Sequence, residues 1–151
     1  MVKNISTDII WEILKTISDP EIPSISIVDL GIVKDVQFIG DMLEVTITPT
    51  YSGCPAISFI KDEIIQKFES YAISNFQIKN NLSPPWTTDW MSDEVKTKLK
   101  NAGIAPPSNS VICPQCDSLE VDVISDFGST ACKALYKCNH CNEPFHYFKQ
   151  F

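Results

Sequence analysis

Cys113-Pro114-Gln115-Cys116 and Cys138-Asn139-His140-Cys141 form two C-x-x-C pairs separated by 21 residues. No other feature constrains the fold as tightly. Each pair can grip one ion through two thiolates in a tight turn, and a hairpin that brings the turns together completes a tetrahedral four-sulfur site. Val121 to Ile124 and Ala134 to Lys137 have the apolar, β-branched character of the strands such a hairpin needs. So small a unit buries too little surface to stand alone, which makes metal binding a folding requirement as well as a functional one.

Zinc is the leading ion for Cys113, Cys116, Cys138 and Cys141. Iron in a four-cysteine site, or an iron–sulfur cluster, uses the same ligands. Thiol redox chemistry fits less well, because no βαβ pattern surrounds either pair. Cys132 is surplus to a four-coordinate site and reads first as a small buried side chain, with Lys133 beside it as a possible activator. His140 and His146 read as surface residues, since four cysteines already suffice.

The rest of the 151-residue chain is long enough for a hydrophobic core of its own. Thr7 is placed to cap a helix in which Ile10, Ile13, Leu14 and Ile17 recur on one face, and Pro20 and Pro23 end it. Two strand-like runs, 33–38 and 42–48, flank Gly40-Asp41, with Leu43, Val45 and Ile47 alternating with polar residues as in a hairpin with one buried face. A second amphipathic helix follows over 55–70, then a third strand at Phe76 to Lys79. This order predicts an α+β layer, a small sheet with helices on one face. A short helix from Asp93 to Asn101, capped by Ser92 and closed by Gly103, precedes a hinge at 106–110. The expected domains are therefore 1–105 and 106–151, the second being the β ribbon. Trp86 and Trp90 read as packing anchors.

Charge narrows the partners. The formal net charge is −7, and all 12 basic residues are lysines. Without arginine the bidentate fork that reads guanine or clamps phosphate is missing, and the acidic balance disfavours nucleic acid. A partner with basic patches suits it better. The N-terminal stretch has no signal-peptide pattern, and no run approaches the roughly 20 apolar residues of a membrane span. The expected compartment is the cytoplasm, where cysteines serve as thiols or ligands rather than disulfides.

Cys54 stands apart from the other cysteines, in Thr48-Pro49-Thr50-Tyr51-Ser52-Gly53-Cys54-Pro55-Ala56, where a strand pattern gives way to a helix pattern. Unpaired amides and the dipole at a helix N-terminus stabilise a thiolate. Such a thiolate can ligate iron or attack an electrophile; the plain alternative is a buried cysteine in a tight turn. A nucleophilic enzyme needs a base, and no histidine can be assigned to this loop.

These motifs carry a resemblance. DPEIP at 19–23, SIVDLGIV at 26–33 and TPTYSGCPA at 48–56 resemble the MIP18 (DUF59) family, a small α+β fold associated with iron–sulfur cluster assembly. PPWTTDWMS at 84–92, KLKNAGIAPP at 98–107 and FGSTACKALYKCNHCNEPFHYFK at 127–149 look like the PaaD family of phenylacetyl-CoA epoxidase accessory proteins. The fold so implied is a MIP18-like domain followed by a C-terminal β zinc ribbon. The implied role is a non-catalytic maturation factor for the epoxidase complex in phenylacetate degradation. The resemblance puts Cys54, Asp19 and Glu21 at the cofactor-handling site, with a transient iron–sulfur cluster at Cys54, and makes Cys113, Cys116, Cys138 and Cys141 the zinc ligands. Its implied partners are the oxygenase or reductase components, and a homodimer would supply the second cysteine that a cluster needs. The alternative is a structural or electron-transfer component of the oxygenase. Asp117 departs from the ribbon pattern, which favours glycine after the first knuckle for its positive φ.

Overall fold

Ser6, not Thr7, caps the first helix: its Oγ accepts the amide of Ile9, and Thr7 is already the first helical residue. The structure is a computed structural model that describes residues 5–50 and 55–150. Helix α1 (Thr7–Lys15) buries Ile10, Ile13 and Leu14. Past it, Asp19 and Ile25 pair through their backbones, as do Ile17 and Ile27, in a short antiparallel bridge around the prolines. Ser26 and Asp29 then cap one another: the Ser26 amide donates to Asp29 Oδ2 at 3.2 Å, and the Asp29 amide to Ser26 Oγ at 3.0 Å. This turn ends at Gly31, whose φ of 74° is left-handed.

Strands β1 (Val33–Ile39) and β2 (Met42–Ile47) form the predicted hairpin, and β3 (Phe76–Asn80) joins the other edge of β2 in parallel, giving the order β1-β2-β3. Helix α2 (Ala56–Ser70) makes the β2-to-β3 connection. The core gathers Leu43, Val45 and Ile47 with Ile60, Ile64 and Phe68, and Phe68 meets Phe76 edge to face at 5.1 Å. The hairpin expectation needs one refinement, because β2 is shielded on both faces. Glu44 and Thr46 are also buried, since β2 is the middle strand and its polar side chains lie between those of its neighbours. Gln37, Glu44 and Gln77 occupy one register line across the three strands. The Glu44 carboxylate accepts from both glutamines, first Gln37 and then Gln77, and these bonds hold its pKa below the usual value.

The chain divides into two compact units, 1–86 and 87–151. This differs from the expected hinge at 106–110. Helix α3 (Asp93–Asn101) runs into a two-residue strand, β4 (Ile104–Ala105), which pairs in parallel with the last strand of the ribbon, so 87–105 belongs to the second unit. Composition announces the prolines at 106–107 but not a two-residue strand just before them. Ser92 does cap α3, accepting the Val95 amide, and Gly103 follows it at φ 81°. Strands β5 (Val121–Ser125), β6 (Lys133–Cys138) and β7 (Pro144–Phe148) complete a sheet of order β4-β7-β6-β5. Among the described residues no helix is long and apolar enough to cross a membrane.

Candidate metal centre

The two knuckles are built alike. In the first, the Cys113 amide donates to the Ser118 carbonyl and the Asp117 amide returns to the Cys113 carbonyl, both at 3.0 Å. In the second, the Cys138 amide donates to the Glu143 carbonyl at 3.0 Å. Each loop reverses through a left-handed residue placed directly after its second cysteine, Asp117 at φ 61° and Asn142 at φ 65°. Glycine is the easiest residue there, and Asp117 holds the conformation while its carboxylate accepts from Lys100 Nζ at 2.6 Å. Asn139 ties the second knuckle to the start of the strand Val121–Ser125: its amide donates to the Glu120 carbonyl and its side chain to Asp122, each at 2.8 Å.

This scaffold brings four sulfurs within 4.8 Å of one another. Cys113 and Cys141 approach to 3.7 Å, and Cys116 and Cys138 to 3.5 Å. Zinc–sulfur bonds of about 2.3 Å in a tetrahedron require sulfurs about 3.8 Å apart, so the arrangement fits a four-thiolate metal site. Cys113 and Cys138 are fully buried against Ala105, Ala134, Phe145 and Tyr147. Tyr136 stacks on Phe145 at 5.9 Å, and the Tyr147 hydroxyl donates to the Ser108 carbonyl at 3.0 Å.

Electrostatics support the same reading. The Cys138 pKa falls to about 6, chiefly because the Cys141 amide donates to its sulfur at 3.5 Å, with the His140 amide helping at 3.4 Å. The Cys116 thiol is pulled down by the Ser118 amide, but burial and the three neighbouring sulfurs outweigh it and push it up to about 12. Sulfurs this close cannot all ionise without a cation between them, which is what a metal supplies.

Cys132 lies outside the four-sulfur group. It is buried, with its sulfur 3.0 Å from Thr130 Oγ1, as expected of a small packed side chain. His146 is not a ligand either. Its Nε2 accepts the Ser129 amide at 3.4 Å, and burial, then the charge of Lys133, hold its pKa below the usual histidine value. A Cβ on Gly128 would lie 2.6 Å from His146 Cδ2, so this glycine exists for close approach. Sequence inspection missed that pairing, because the glycine and the histidine are 18 positions apart and on different elements.

Of the residues that the resemblance assigns to a cofactor-handling site, Asp19 is buried, and its Oδ1 accepts the amides of Glu21 and Ile22 at 2.9 and 3.0 Å. Glu21 is exposed. Cys54 lies outside the described residues. The helix that follows it, α2, begins with Pro55 as its cap, has no side-chain cap bond and carries no acidic residue in its first turn.

Residues 99–149 match the family model of the PaaD zinc beta ribbon domain, and residues 7–72 match that of the iron–sulfur cluster assembly protein. The chain is 44% identical over 149 residues to an Escherichia coli (strain K12) protein named as the D component of a "Putative 1,2-phenylacetyl-CoA epoxidase", a match spanning 93% of this chain and 90% of that one. Over 92 residues it is 36% identical to an Fe-S protein maturation auxiliary factor of Porphyromonas gingivalis (strain ATCC BAA-308 / W83), covering 60% of this chain and 87% of that protein. A DUF59 domain of unknown function from Bacillus anthracis superposes with a TM-score of 0.56 at 26% identity, over 61% of this chain and 89% of the domain. A conserved hypothetical protein from Thermotoga maritima gives 0.54 at 28% identity, over 66% of this chain and 98% of that one. With its assembly-type α+β domain, its four-cysteine ribbon and a relative matched along nearly its whole length, the chain belongs to the PaaD family of phenylacetyl-CoA epoxidase proteins.

Proposed function

We propose that this protein is a maturation factor for a phenylacetyl-CoA epoxidase complex, assisting the delivery of iron or an iron–sulfur cluster to the oxygenase or reductase component. The observation that carries the reading is the closed ribbon: four sulfurs at tetrahedral spacing leave no position for a substrate, so that metal, zinc in our reading, has a structural task. Cargo must then be handled elsewhere. The first unit offers a place, where the chain leaves the carboxyl end of β2 and enters α2, the general position for ligands beside a parallel pair. Cys54 directly precedes the capping Pro55 in sequence, and a first turn with no cap bond from Pro55 and no acidic side chain leaves its positive end to favour a thiolate. In this reading Cys54 takes the cargo, Glu21 contributes an exposed carboxylate, and Asp19 shapes the turn that presents it.

The single cysteine of this loop cannot hold a cluster unaided, so Cys54 shares its cargo with the client or with a second copy. The names of the Fe-S maturation factors related to the first unit support this assignment. The site of action is the cytoplasm, where the epoxidase would be assembled. Expression of the epoxidase components with and without this chain, followed by iron analysis and assay of ring epoxidation, tests the reading. Iron-depleted, inactive complex in its absence is expected, and fully loaded, fully active complex without it would reject the proposal.

A further inference from the structure

Strand β5 ends the second sheet, and its outer edge has no neighbour among the described residues. Exposed edges are templates for another strand, and proteins usually blunt them with charge, proline or a covering loop. Here Asp122 and a register irregularity between Val123 and Ser125 blunt the edge only in part, and most of its exposed side chains are apolar. Leu119, Val123, Ile124 and Phe127 are 66, 52, 55 and 67% exposed, all within nine residues. Such a cluster on a small unit marks an interaction surface.

The charges say what fits it. Lys137 stands opposite Asp122 on β6, and Lys149 lies over the Phe127 ring at 4.7 Å while donating to the Asp126 carbonyl. The side chains of Glu120 and Asp126 remain, both exposed, one at each end of the strand with the apolar residues between them. A second copy pairing antiparallel about Val123 would set Glu120 of each copy opposite Asp126 of the other, carboxylate against carboxylate. We infer that β5 is a docking edge for an extended segment of a partner protein, apolar and β-branched at its centre and cationic at both ends, added as a fifth strand through main-chain hydrogen bonds. This deepens the reading of the chain as a maturation factor, and rests on it, by giving its ribbon a way to hold a client.

The test uses the full metal-loaded chain and a short synthetic peptide, lysine at each end of alternating valine and threonine. Amide chemical shifts should move at 119–127, and replacing Glu120→Lys and Asp126→Lys together should weaken binding by about tenfold or more while admitting a second peptide with glutamate in place of each terminal lysine. N-methylation of the peptide's pairing edge should abolish binding, because charge is retained and the ladder is lost. Absence of binding, shifts centred elsewhere, indifference to N-methylation or to charge reversal, or a dimer of the chain alone that Ile124→Lys dissociates would each overturn the inference. The iron-loading assay fails independently: an edge that binds peptide beside an epoxidase that loads without this chain rejects the maturation reading alone.

Discussion

The indole of Trp86 donates its Nε1 proton to the carbonyl of Leu30 at 2.8 Å, across 56 residues of sequence and out of contact with water. That bond fastens the end of the first unit to the turn capped by Ser26 and Asp29. Replacing Trp86→Phe keeps an aromatic ring but leaves the Leu30 carbonyl without this donor, at a cost of about 1–3 kcal/mol. Denaturant unfolding followed by far-ultraviolet circular dichroism should show the loss, and an unchanged midpoint would refute it.

Asp19 and Glu21 should separate cleanly despite being two positions apart. Asp19→Ala removes the acceptor of two backbone amides and should destabilise the first unit by about 1–3 kcal/mol, with Asp19→Asn retaining part of the bond. Glu21→Ala, at an exposed position, should stay within about 0.5 kcal/mol of the parent. Any loss of iron delivery by the Glu21 variant then reports on chemistry rather than folding.

Gly128→Ala should destabilise the ribbon by about 1–3 kcal/mol, because the new Cβ meets His146 Cδ2 at 2.6 Å. Adding His146→Ala should recover part of that loss, and the rescue will be incomplete because the Lys133 carbonyl still lies 3.3 Å from the same Cβ. Strictly additive effects in a double-mutant cycle would contradict the packing account.

His146 also predicts a pH dependence. Its folded pKa lies below the ordinary 6.5, so the folded state favours the neutral ring. The stability this provides is present above 6.5 and is lost as pH falls through the lower folded value. A proton NMR titration of the metal-loaded chain should give a His146 midpoint under 6.5; a midpoint above it would show that the ring is not held neutral.

Removing the metal should undo the second unit selectively. With no cation among Cys113, Cys116, Cys138 and Cys141, amide protection in β5, β6 and β7 should fall to that of an unfolded segment, while β2 and α2 keep theirs. Hydrogen exchange before and after chelation is the measurement, with Cys113→Ser as a genetic equivalent.

Local chemistry was legible in the sequence wherever a residue acts through its near neighbours. The spacing of the cysteines within each knuckle, the Ser92 cap, the Gly40-Asp41 hairpin and the left-handed demand on position 117 are all short-range facts. The first cap moved by one residue because Ser6 and Thr7 are chemically equivalent candidates and only backbone geometry chooses between them. What could not be read depends on distant pairings: β4 against β7, Glu44 between two glutamines, and Gly128 beneath His146. Each requires knowing which strand is central, and periodicity along one strand does not contain that information.

The strand order β4-β7-β6-β5 carries a consequence for the sequence of events in time. Of these strands the last in chain order is an inner one, flanked by a segment some forty positions earlier. Until Phe148 has been made, β4 has no partner and the second cysteine pair has no returning strand to steady it. The ribbon is therefore finished from its own middle, and capture of the ion is tied to the arrival of that inner strand rather than to the first appearance of a cysteine pair.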